Sequence, residues 1–315
     1  MKNISIVVPV YNEEENLATF IAAIRDVMAK LDYEWQLIFV NDGSKDSTLS
    51  LLIDYSKNDS CVTYLDLARN YGHQIALTCG IDHAEGDAVI TMDGDLQHPP
   101  ELLPELINLW ESGYDIVQTI RETTEGVSFV KNLTSKAYYR FLNLLAEKPV
   151  RPGGSDFRLM DRQAVLAMRQ FREHSRFIRG LVSSLGFRQT TIHFTAPPRF
   201  AGVSKFSPRK MFHLAVDGIL SQTIKPLRFA FWAGSLSALL CLCFIIYALV
   251  SYVEHHAVAG WTSMLAVLSF IGSLQLFLLG IIGEYLGHSF IEGRHRPLYL
   301  IRKPDPTRPD IIKNL

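Results

Sequence analysis

The chain has 315 residues, a formal net charge of −1 and a hydrophobic fraction of 48%. This length exceeds one average domain and can bury a large core. The near-neutral charge argues against a nucleic-acid-binding protein, because such proteins usually carry a basic excess. The four cysteines form no C-x-x-C pair, which argues against a zinc site or a disulfide framework.

The first 120 residues alternate between short apolar runs and segments with helical spacing. The apolar runs are rich in β-branched residues and predict five strands, at 4–10, 35–41, 62–67, 87–93 and 114–120. The segments between them predict four helices, at 13–30, 46–58, 73–84 and 100–112. This alternation predicts an α/β fold, with a mostly parallel sheet and helices on both faces.

Polar motifs follow three of the predicted strands. They are PVYNEEEN at 9–16, NDGSKDST at 41–48 and MDGDLQHPPE at 92–101. Any one of them alone is ordinary turn chemistry, but parallel strands bring their carboxyl ends to one edge of the sheet, where ligands bind. Three acidic or amide-rich turns at one edge therefore predict a ligand site.

The third motif carries two aspartates, Asp93 and Asp95, on either side of Gly94. Two neighbouring carboxylates repel each other unless a cation lies between them. Oxygen ligands in this arrangement suit Mg²⁺ or Mn²⁺, and such a cation can bridge a diphosphate. The G-x-G-x-x-G and G-x-x-x-x-G-K-[ST] phosphate-binding motifs are absent. The sequence thus predicts a metal–diphosphate site, with Asp95 as a metal ligand and Asp93 facing the metal or the nucleotide ribose.

Beyond residue 121 the pattern changes to amphipathic helical segments. One covers 125–147, and a second, at 204–228, has basic residues at both ends. For either segment alone, a surface helix packed on the core is the simpler interpretation. Because the second lies directly before a long apolar run, we expect it to lie in the headgroup plane of a membrane.

Two uncharged apolar runs follow, at 229–253 and 261–283. Each exceeds the ~20 residues that a helix needs to cross a bilayer, so both are predicted to span a membrane. Lys and Arg flank the pair and are absent from the connection at 254–260, which predicts that both ends are cytoplasmic. Small residues that allow close helix contacts predict a homo-oligomer; they are Gly272, Ser273, Gly280, Gly283 and Gly287.

These patterns divide the chain into four parts, namely an α/β domain at 1–203, an interface helix at 204–228, two membrane helices with a short external loop at 229–288, and a cytoplasmic tail at 289–315. The N-terminal apolar run is broken by Pro9 and followed by acidic residues, unlike a signal peptide. The end of the tail, 302–315, is rich in proline and charge, which is typical of a mobile segment or of one lying along a neighbour.

Five motifs in this order resemble those of the family 2 glycosyltransferases, which have the GT-A fold: PVYNE, NDGS, MDGDLQHPPE, SDFRLMDR and RFAGVSKFS. With the two C-terminal spans, the chain more narrowly resembles the polyprenyl-phosphate glycosyltransferases, which include dolichyl-phosphate mannose synthase. The two-span ending is closer to that of bacterial bactoprenol glucosyltransferase. The resemblance covers essentially the whole chain and departs at Asn41, where many relatives have a second aspartate.

The resemblance implies a role for each matching residue. The residues implied to bind the donor nucleotide are Pro9, Tyr11, Glu13, Asp42, Asp93, Gln97 and Lys205. Those implied to act in catalysis are Asp156, Asp95 and Arg199, with Asp93 and Asp95 as the metal pair. Those implied to bind the acceptor phosphate are Arg121, Lys131 and Ser135.

Asp156 is implied to be the catalytic base, but the chemistry leaves an alternative. A phosphate monoester has a second pKa near ~6, so it is largely dianionic at neutral pH and hardly needs deprotonation. Asp156 could instead orient the acceptor or hold Arg158.

The implied reaction is the inverting transfer of a hexose to a polyprenyl phosphate, such as undecaprenyl phosphate, with Mg²⁺ or Mn²⁺ as cofactor. The resemblance places it at the cytoplasmic face of the inner membrane, in a homo-oligomer such as a tetramer. UDP-glucose is the expected donor, while GDP-mannose and UDP-linked amino sugars stay open. The product would supply sugar for glycan modification, such as an O-antigen decoration.

Two other classes of protein fit the sequence less well. A processive polysaccharide synthase is disfavoured, because its Q-x-x-R-W motif is absent. A membrane-anchored scaffold without activity is the alternative from outside the enzymes, and the intact Asp42, Asp93, Asp95 and Arg199 argue against it.

Overall fold

The structure is a computed structural model, and it describes residues 2–124, 154–174, 176–196, 225–253 and 260–303. These residues belong to two compact units. The first unit holds a sheet with its helices, and it includes the C-terminal residues from Pro297 onward. The second unit holds two long helices, α7 (Lys225–Val253) and α8 (Trp261–Gly293).

Eight strands form the sheet of the first unit: β1 (Asn3–Val10), β2 (Glu34–Asn41), β3 (Val62–Leu67), β4 (Ala88–Thr91), β5 (Ile116–Thr124), β6 (Gly154–Asp161), β7 (Gln189–Ala196) and β8 (Ile301–Lys303). Their order across the sheet is β7-β5-β6-β4-β1-β2-β3-β8. Strands β1 to β4 are parallel to one another, as are β5 and β7, whereas β6 and β8 run antiparallel to their neighbours. The predicted α/β fold with a mostly parallel sheet is confirmed, and all five predicted strands are present.

Helices pack on both faces of this sheet: α1 (Leu17–Met28), α2 (Thr48–Asn58), α3 (His73–His83), α4 (Leu103–Glu111), α5 (Arg162–Arg169), α6 (Ile178–Ser184) and a 3-10 turn (Pro100–Leu102). In β1, Ile6 and Val8 pack in one core cluster with Phe20 of α1, and Val7 packs in another with Leu77 of α3. A strand buried on both faces needs apolar side chains at successive positions. For this reason ISIVVPV is apolar except at Ser5, whose hydroxyl accepts a hydrogen bond from Gln36 Nε2 at 2.6 Å.

The antiparallel strand β6 positions the site. It lies beside β4, with Arg158 opposite Thr91 at the end of β4, and the Thr91 hydroxyl donates to the Asp156 carbonyl at 2.5 Å. Because β6 runs opposite to β4, its first residues lie at the edge where β4 ends. Ser155, Asp156 and Arg158 therefore stand beside the loop that carries Asp93 and Asp95.

The prediction for the C-terminal tail is partly wrong. Helix α8 continues past the expected boundary at 288 and ends at Gly293. Arg302 and Lys303 belong to β8, which pairs antiparallel with β3, so they are not a mobile segment. Without β8, the backbone N–H and C=O groups of β3 would form an unpaired sheet edge, and a short strand covers that edge.

The second unit contains the two long helices that the sequence predicts after residue 228. Helix α7 begins at Lys225, so the last residues of the predicted interface helix are part of it. The rest of that interface helix, and the predicted helix at 125–147, lie outside the described residues. Among the residues that the structure describes, one segment, Phe270–Gly293, is long and apolar enough to cross a membrane, with a mean hydropathy of 1.5.

Candidate active site

Three loops meet at the carboxyl ends of β1, β2 and β4, as the sequence predicts. The loops after β1 and β2 begin side by side, since the Asp42 N–H donates to the Val10 carbonyl at 2.9 Å. The loop after β4 lies against the end of β1 at Gly94, where an added Cβ would come within 3.2 Å of Val10 Cγ1. Glycine at this position therefore lets the third loop approach the first.

The first and second loops are held together by reciprocal hydrogen bonds. The Asn12 N–H donates to Ser44 Oγ at 3.0 Å, and the Lys45 N–H donates back to Asn12 Oδ1 at 2.8 Å. The Glu13 N–H donates to Thr48 Oγ1 at 2.9 Å. These bonds fix the loop that follows β1 and carries the predicted donor residues Tyr11 and Glu13.

Asp42 is buried and acts inside the second loop. Its two carboxylate oxygens accept the N–H groups of Tyr71 at 2.6 Å and Gly72 at 2.9 Å. Burial raises the pKa of Asp42, and the two backbone hydrogen bonds only partly oppose this. The predicted base-binding carboxylate therefore also orients the loop between β3 and α3.

Asn41 has a physical reason to differ from the aspartate of many relatives. Its Nδ2 donates to Oδ1 of the buried Asp66 at 2.7 Å, and its Oδ1 accepts the Ser44 N–H at 3.2 Å. A second aspartate at this position would set two carboxylates against each other. The amide instead links β3 to the second loop.

The third loop is held by a buried histidine, His98. The Asp93 N–H donates to His98 Nδ1 at 2.8 Å, which leaves the proton on Nε2, where it can be donated to Ser155 Oγ at 2.7 Å. The ring stacks on Phe157 with 5.2 Å between centroids. Burial lowers the pKa of His98, so the neutral ring positions the backbone of Asp93.

Asp93 and Asp95 fit the divalent cation that the sequence predicts. Asp93 Oδ1 is buried without a hydrogen-bond partner, and its nearest cationic atom is His73 Nε2 at 3.4 Å. Asp95 Oδ1 accepts the Gln97 N–H at 3.1 Å. The described part of the chain holds no group of three side chains that could bind a metal. Mg²⁺ is commonly held by one or two carboxylates, waters and substrate phosphates, so two protein ligands suffice.

Asp156 lies in β6 at the centre of a group of donors. Its Oδ1 accepts from Arg158 Nη2 at 2.8 Å and from Arg179 Nε at 3.2 Å. Its Oδ2 accepts from Arg179 Nη2 at 3.2 Å and from Gln74 Nε2 at 3.1 Å. Burial raises the pKa of Asp156, but Arg179, His73 and Arg158 outweigh it and hold the pKa well below its usual range. This geometry favours the interpretation that Asp156 holds cations, and its role as base stays a prediction.

His73 lies at the start of α3, between two carboxylates. Its Nε2 is 3.4 Å from Asp93 Oδ1 and 3.5 Å from Asp156 Oδ2. Burial lowers the pKa of His73, but the two carboxylates raise it to about 9. The two carboxylates therefore favour the charged form of the imidazole, whose side chain is 39% exposed.

Of the predicted acceptor residues, the structure describes Arg121 in β5. Its guanidinium lies 6.0 Å from the centroid of Phe194, and that ring meets His98 edge-on at 6.2 Å. Arg121 is thus at the same edge of the sheet as Asp93. The other predicted site residues, Lys131, Ser135, Arg199 and Lys205, lie outside the described residues.

The sequence did not single out His73, His98 or Arg179. His98 lies inside the MDGDLQHPPE motif, which was its one available signal. Arg179 has no local motif, because its partner Asp156 is 23 residues away in the chain. Only the fold brings these side chains to the carboxylates.

A model of glycosyl transferase family 2 matches residues 5–168 of the chain. A model described as the GtrB C-terminal hairpin matches residues 225–289. The first of these covers the sheet strands β1 to β6, including all three loops of the site, and the second covers α7 and most of α8.

Relatives match over nearly the full length of the chain. An uncharacterized glycosyltransferase of Synechocystis is 42% identical over 299 residues, which are 95% of this chain and 94% of the relative. A bactoprenol glucosyl transferase of Shigella phage SfV is 36% identical over 300 residues, which are 95% of this chain and 98% of the relative.

Among solved structures, mannosyl-3-phosphoglycerate synthase from Rubrobacter xylanophilus is similar, with a TM-score of 0.46 at 16% identity. The similar region covers 69% of this chain and 71% of that one. At this level the likeness supports no statement about the site.

Proposed function

Because this chain belongs to glycosyl transferase family 2, we propose that it transfers a hexose from a nucleotide sugar to a polyprenyl phosphate. Glucose from UDP-glucose is the proposed donor and undecaprenyl phosphate the proposed acceptor, since relatives named bactoprenol glucosyl transferase match 95% of the chain. The observation that carries the proposal is that one edge of the sheet combines the carboxylates of Asp93 and Asp95 with the cations around Asp156. Because both substrates carry phosphate, the site needs carboxylates to hold a divalent cation and cationic side chains to balance the phosphate charge.

The donor side of the site binds and orients the nucleotide sugar. The interlocked loops after β1 and β2 present Tyr11, Glu13 and Asp42 to the nucleoside. Asp93 and Asp95 would hold Mg²⁺ or Mn²⁺, which stabilises the negative charge of a departing nucleoside diphosphate. His98 fixes the backbone of Asp93 and so keeps this pair in place.

The proposed chemistry is a single displacement with inversion. An oxygen of the acceptor phosphate attacks the anomeric carbon, and the bond from that carbon to the diphosphate oxygen breaks with its electron pair leaving on the diphosphate. The attacking phosphate, with a second pKa near ~6, is largely dianionic at neutral pH, so no proton has to be removed. The protein therefore contributes position and charge stabilisation.

We also propose that α7 and α8 form a two-span membrane hairpin with both chain ends in the cytoplasm. Large apolar side chains on both helices are exposed, including Trp232, Phe270 and Leu276. The described part of α7 contributes the apolar segment Leu227–Leu240, and α8 contributes Phe270–Gly293. Burial in lipid removes this apolar surface from water, which supports a position of the enzyme at the inner membrane beside its proposed lipid acceptor.

We further propose that several copies of the chain associate through this hairpin as a homo-oligomer, such as a tetramer. At Gly272, Gly280, Gly283 and Gly287 of α8, no atom of the described residues lies within 4 Å of where a Cβ would stand. Such small residues allow another helix to approach closely. Light scattering in mild detergent tests this, and a monomer at every protein concentration would contradict it.

The activity is tested with membranes that contain the full chain. Radiolabelled sugar from UDP-glucose, GDP-mannose and UDP-linked amino sugars is offered to undecaprenyl phosphate, with and without Mg²⁺ or Mn²⁺. We expect metal-dependent transfer from UDP-glucose that falls about 100-fold or more in Asp95→Asn. Asp26→Asn, an exposed aspartate on α1, is the matched control and should keep full activity.

The other donors decide between the alternatives. Transfer from GDP-mannose or an amino sugar alone would replace glucose and keep the reaction class. A folded protein that binds no nucleotide and transfers no sugar would overturn the proposal in favour of a non-catalytic scaffold.

A further inference from the structure

Two arginines share one buried carboxylate at the candidate site. Asp156 is the carboxylate that accepts hydrogen bonds from both Arg158 and Arg179. A guanidinium is always charged at physiological pH. The three groups together therefore carry a net positive charge, and two of them, Arg158 and Asp156, are buried.

Arg158 is the buried member of this group. Its side chain is 1% exposed, and it donates through Nη2 to Asp156 and to the Ser155 carbonyl. Its Nε and Nη1 are buried without a hydrogen-bond partner. Burial is costly for a charged donor whose groups are not all paired, so this position favours an anion nearby.

Arg179 is the member that faces solvent. Its side chain is 34% exposed, and Asp156 takes the donors on Nε and Nη2 in a two-oxygen contact. This contact fixes the plane of the guanidinium, which also carries the donors on Nη1. An arginine held in this way is suited to bind phosphate oxygens.

Asp93 is the other carboxylate near the two arginines, and it lowers the cost of burying Arg158. In the proposed function, on which this inference rests, the charge of Asp93 is taken up by a divalent cation. Arg158 then loses the compensation that the negative charge of Asp93 gave it. A substrate phosphate would supply the missing negative charge.

We propose that Arg158, Arg179 and Asp156 form a phosphate-binding site in which Arg179 contacts a phosphate group of a substrate. Asp156 and Arg158 are positioning residues, since Asp156 holds Arg179 and Arg158 supplies positive charge next to Asp156. The phosphate belongs either to the nucleoside diphosphate of the donor or to the acceptor lipid, because both present the same oxyanion to a guanidinium.

The chain offers a matched control for this site. Arg172 pairs with Asp82 at 2.6 Å, and that carboxylate is 8% exposed, compared with 6% for Asp156. Arg172→Gln and Arg179→Gln thus each remove an arginine from a buried carboxylate. Only Arg179 has its partner in the group that contacts His73 and Arg158.

Two constants are measured for the full-length wild type and the two variants. One is the Kd of UDP with Mn²⁺ in the absence of lipid, by calorimetry in detergent. The other is the KM of undecaprenyl phosphate at saturating donor. We expect Arg179→Gln to raise one of them about 10-fold or more, because hydrogen bonds to charged groups are lost, while Arg172→Gln leaves both near the wild-type values.

The two constants identify the source of the phosphate. A higher Kd for UDP assigns the site to the donor, and a higher KM for the lipid assigns it to the acceptor. If both constants of Arg179→Gln equal those of Arg172→Gln, the site is structural and the proposal is overturned. Thermal unfolding of both variants separates loss of binding from loss of fold.

A second variant keeps the test decisive if Arg179→Gln does not fold. Arg179→Lys keeps the charge but loses the planar two-donor contact, so it should raise the same constant by a smaller factor. Unchanged constants in Arg179→Lys would also overturn the proposal. A wild type that transfers no sugar but binds UDP would remove the proposed function alone, since the donor constant is measured without turnover.

Discussion

At the scale of single residues, Asp156 is the carboxylate that pairs with two arginines. It neutralises part of the charge of Arg158, whose side chain is 1% exposed, and it orients Arg179. A base must gain a proton during the reaction, and the low pKa of Asp156 opposes that. The same low pKa means that the carboxylate contributes to folding stability as an anion.

We predict that Asp156→Asn lowers the free energy of unfolding by about 3 kcal/mol at neutral pH, because it leaves a buried arginine without its carboxylate. The folded-state pKa is depressed, so this contribution is complete above the unfolded value of about 3.9 and is lost as pH falls through the folded-state pKa. Denaturant unfolding of wild type and variant over a pH series measures the difference. Equal stability at neutral pH would contradict the charge-holding role.

Gly43 is a second residue on which the site depends. Its φ is +67°, and an added Cβ would stand 2.7 Å from backbone atoms of Arg69 and Asn70. Gly186 has a similar φ of +76° with nothing in the described chain within 4 Å of the Cβ position. The pair separates the cost of the dihedral angle from the cost of the clash.

We predict that Gly43→Ala destabilises the protein by clearly more than the about 1 kcal/mol expected from positive φ alone, whereas Gly186→Ala costs about that amount. The clash also moves the loop that carries Asp42, so the affinity for UDP should fall in Gly43→Ala and not in Gly186→Ala. Chemical unfolding and UDP calorimetry give both values. Equal effects of the two substitutions would contradict the prediction, because they would mean that the backbone at Arg69 and Asn70 moves away from the added Cβ at no cost in free energy.

At the scale of elements, periodicity in the sequence predicted the parallel half of the sheet and missed the rest. Strands β1 to β5 are buried apolar runs with polar loops at their ends, which is the strongest strand signal. Strand β6 instead begins with Ser155, Asp156 and Arg158, polar side chains whose burial depends on partners in α3, α6 and the β4 loop. No local pattern can encode such partners.

The candidate site follows the same division. Asp42, Asp93 and Asp95 lie in short motifs directly after strands, where a turn rich in carboxylates is visible in the sequence. His73 and Arg179 are single polar residues at the starts of helices, and they reach Asp156 across 83 and 23 positions of the chain. Their importance comes from tertiary contacts, so the motifs alone could not indicate it.

Strand β8 is an element whose removal we expect to weaken the sheet. The Tyr299 hydroxyl donates to Asp82 Oδ2 at 2.9 Å, Arg302 Nη2 donates to the Ala68 carbonyl at 2.7 Å, and the Ala68 N–H donates to the Leu300 carbonyl at 2.8 Å. Removal of β8 breaks these hydrogen bonds and also exposes the edge of β3, which favours aggregation.

We predict that a chain ending at Pro297 loses these contacts and unfolds at a temperature several degrees lower than the full chain. A chain ending at Lys303 keeps β8 and is the matched control, with an unfolding temperature close to that of the full chain. Hydrogen bonds worth about 1 kcal/mol each underlie the difference. Thermal unfolding followed by circular dichroism measures it, and equal unfolding temperatures for the two truncated chains would show that β8 adds nothing to the sheet.

At the scale of the whole molecule, β8 constrains how the chain can cross a membrane. It belongs to the same sheet as β7, so these two strands, one before α7 and one after α8 in the chain, lie on the same side of any membrane. The number of crossings between them must therefore be even. If α8 crosses, a second crossing is needed between β7 and α8, and α7 is the long helix that the structure describes there. This supports the proposed two-span hairpin independently of the distribution of basic residues.

We predict from this parity that the connection at 254–260 lies outside the cytoplasm. A thiol introduced there by Ala257→Cys should react with a membrane-impermeant maleimide on intact cells. Asp26→Cys, on the exposed side of α1, is the matched control and should react only after the membrane is permeabilised. If both thiols need permeabilisation, neither helix crosses and the hairpin lies on the cytoplasmic surface, because a sheet that contains both flanking segments does not allow a single crossing.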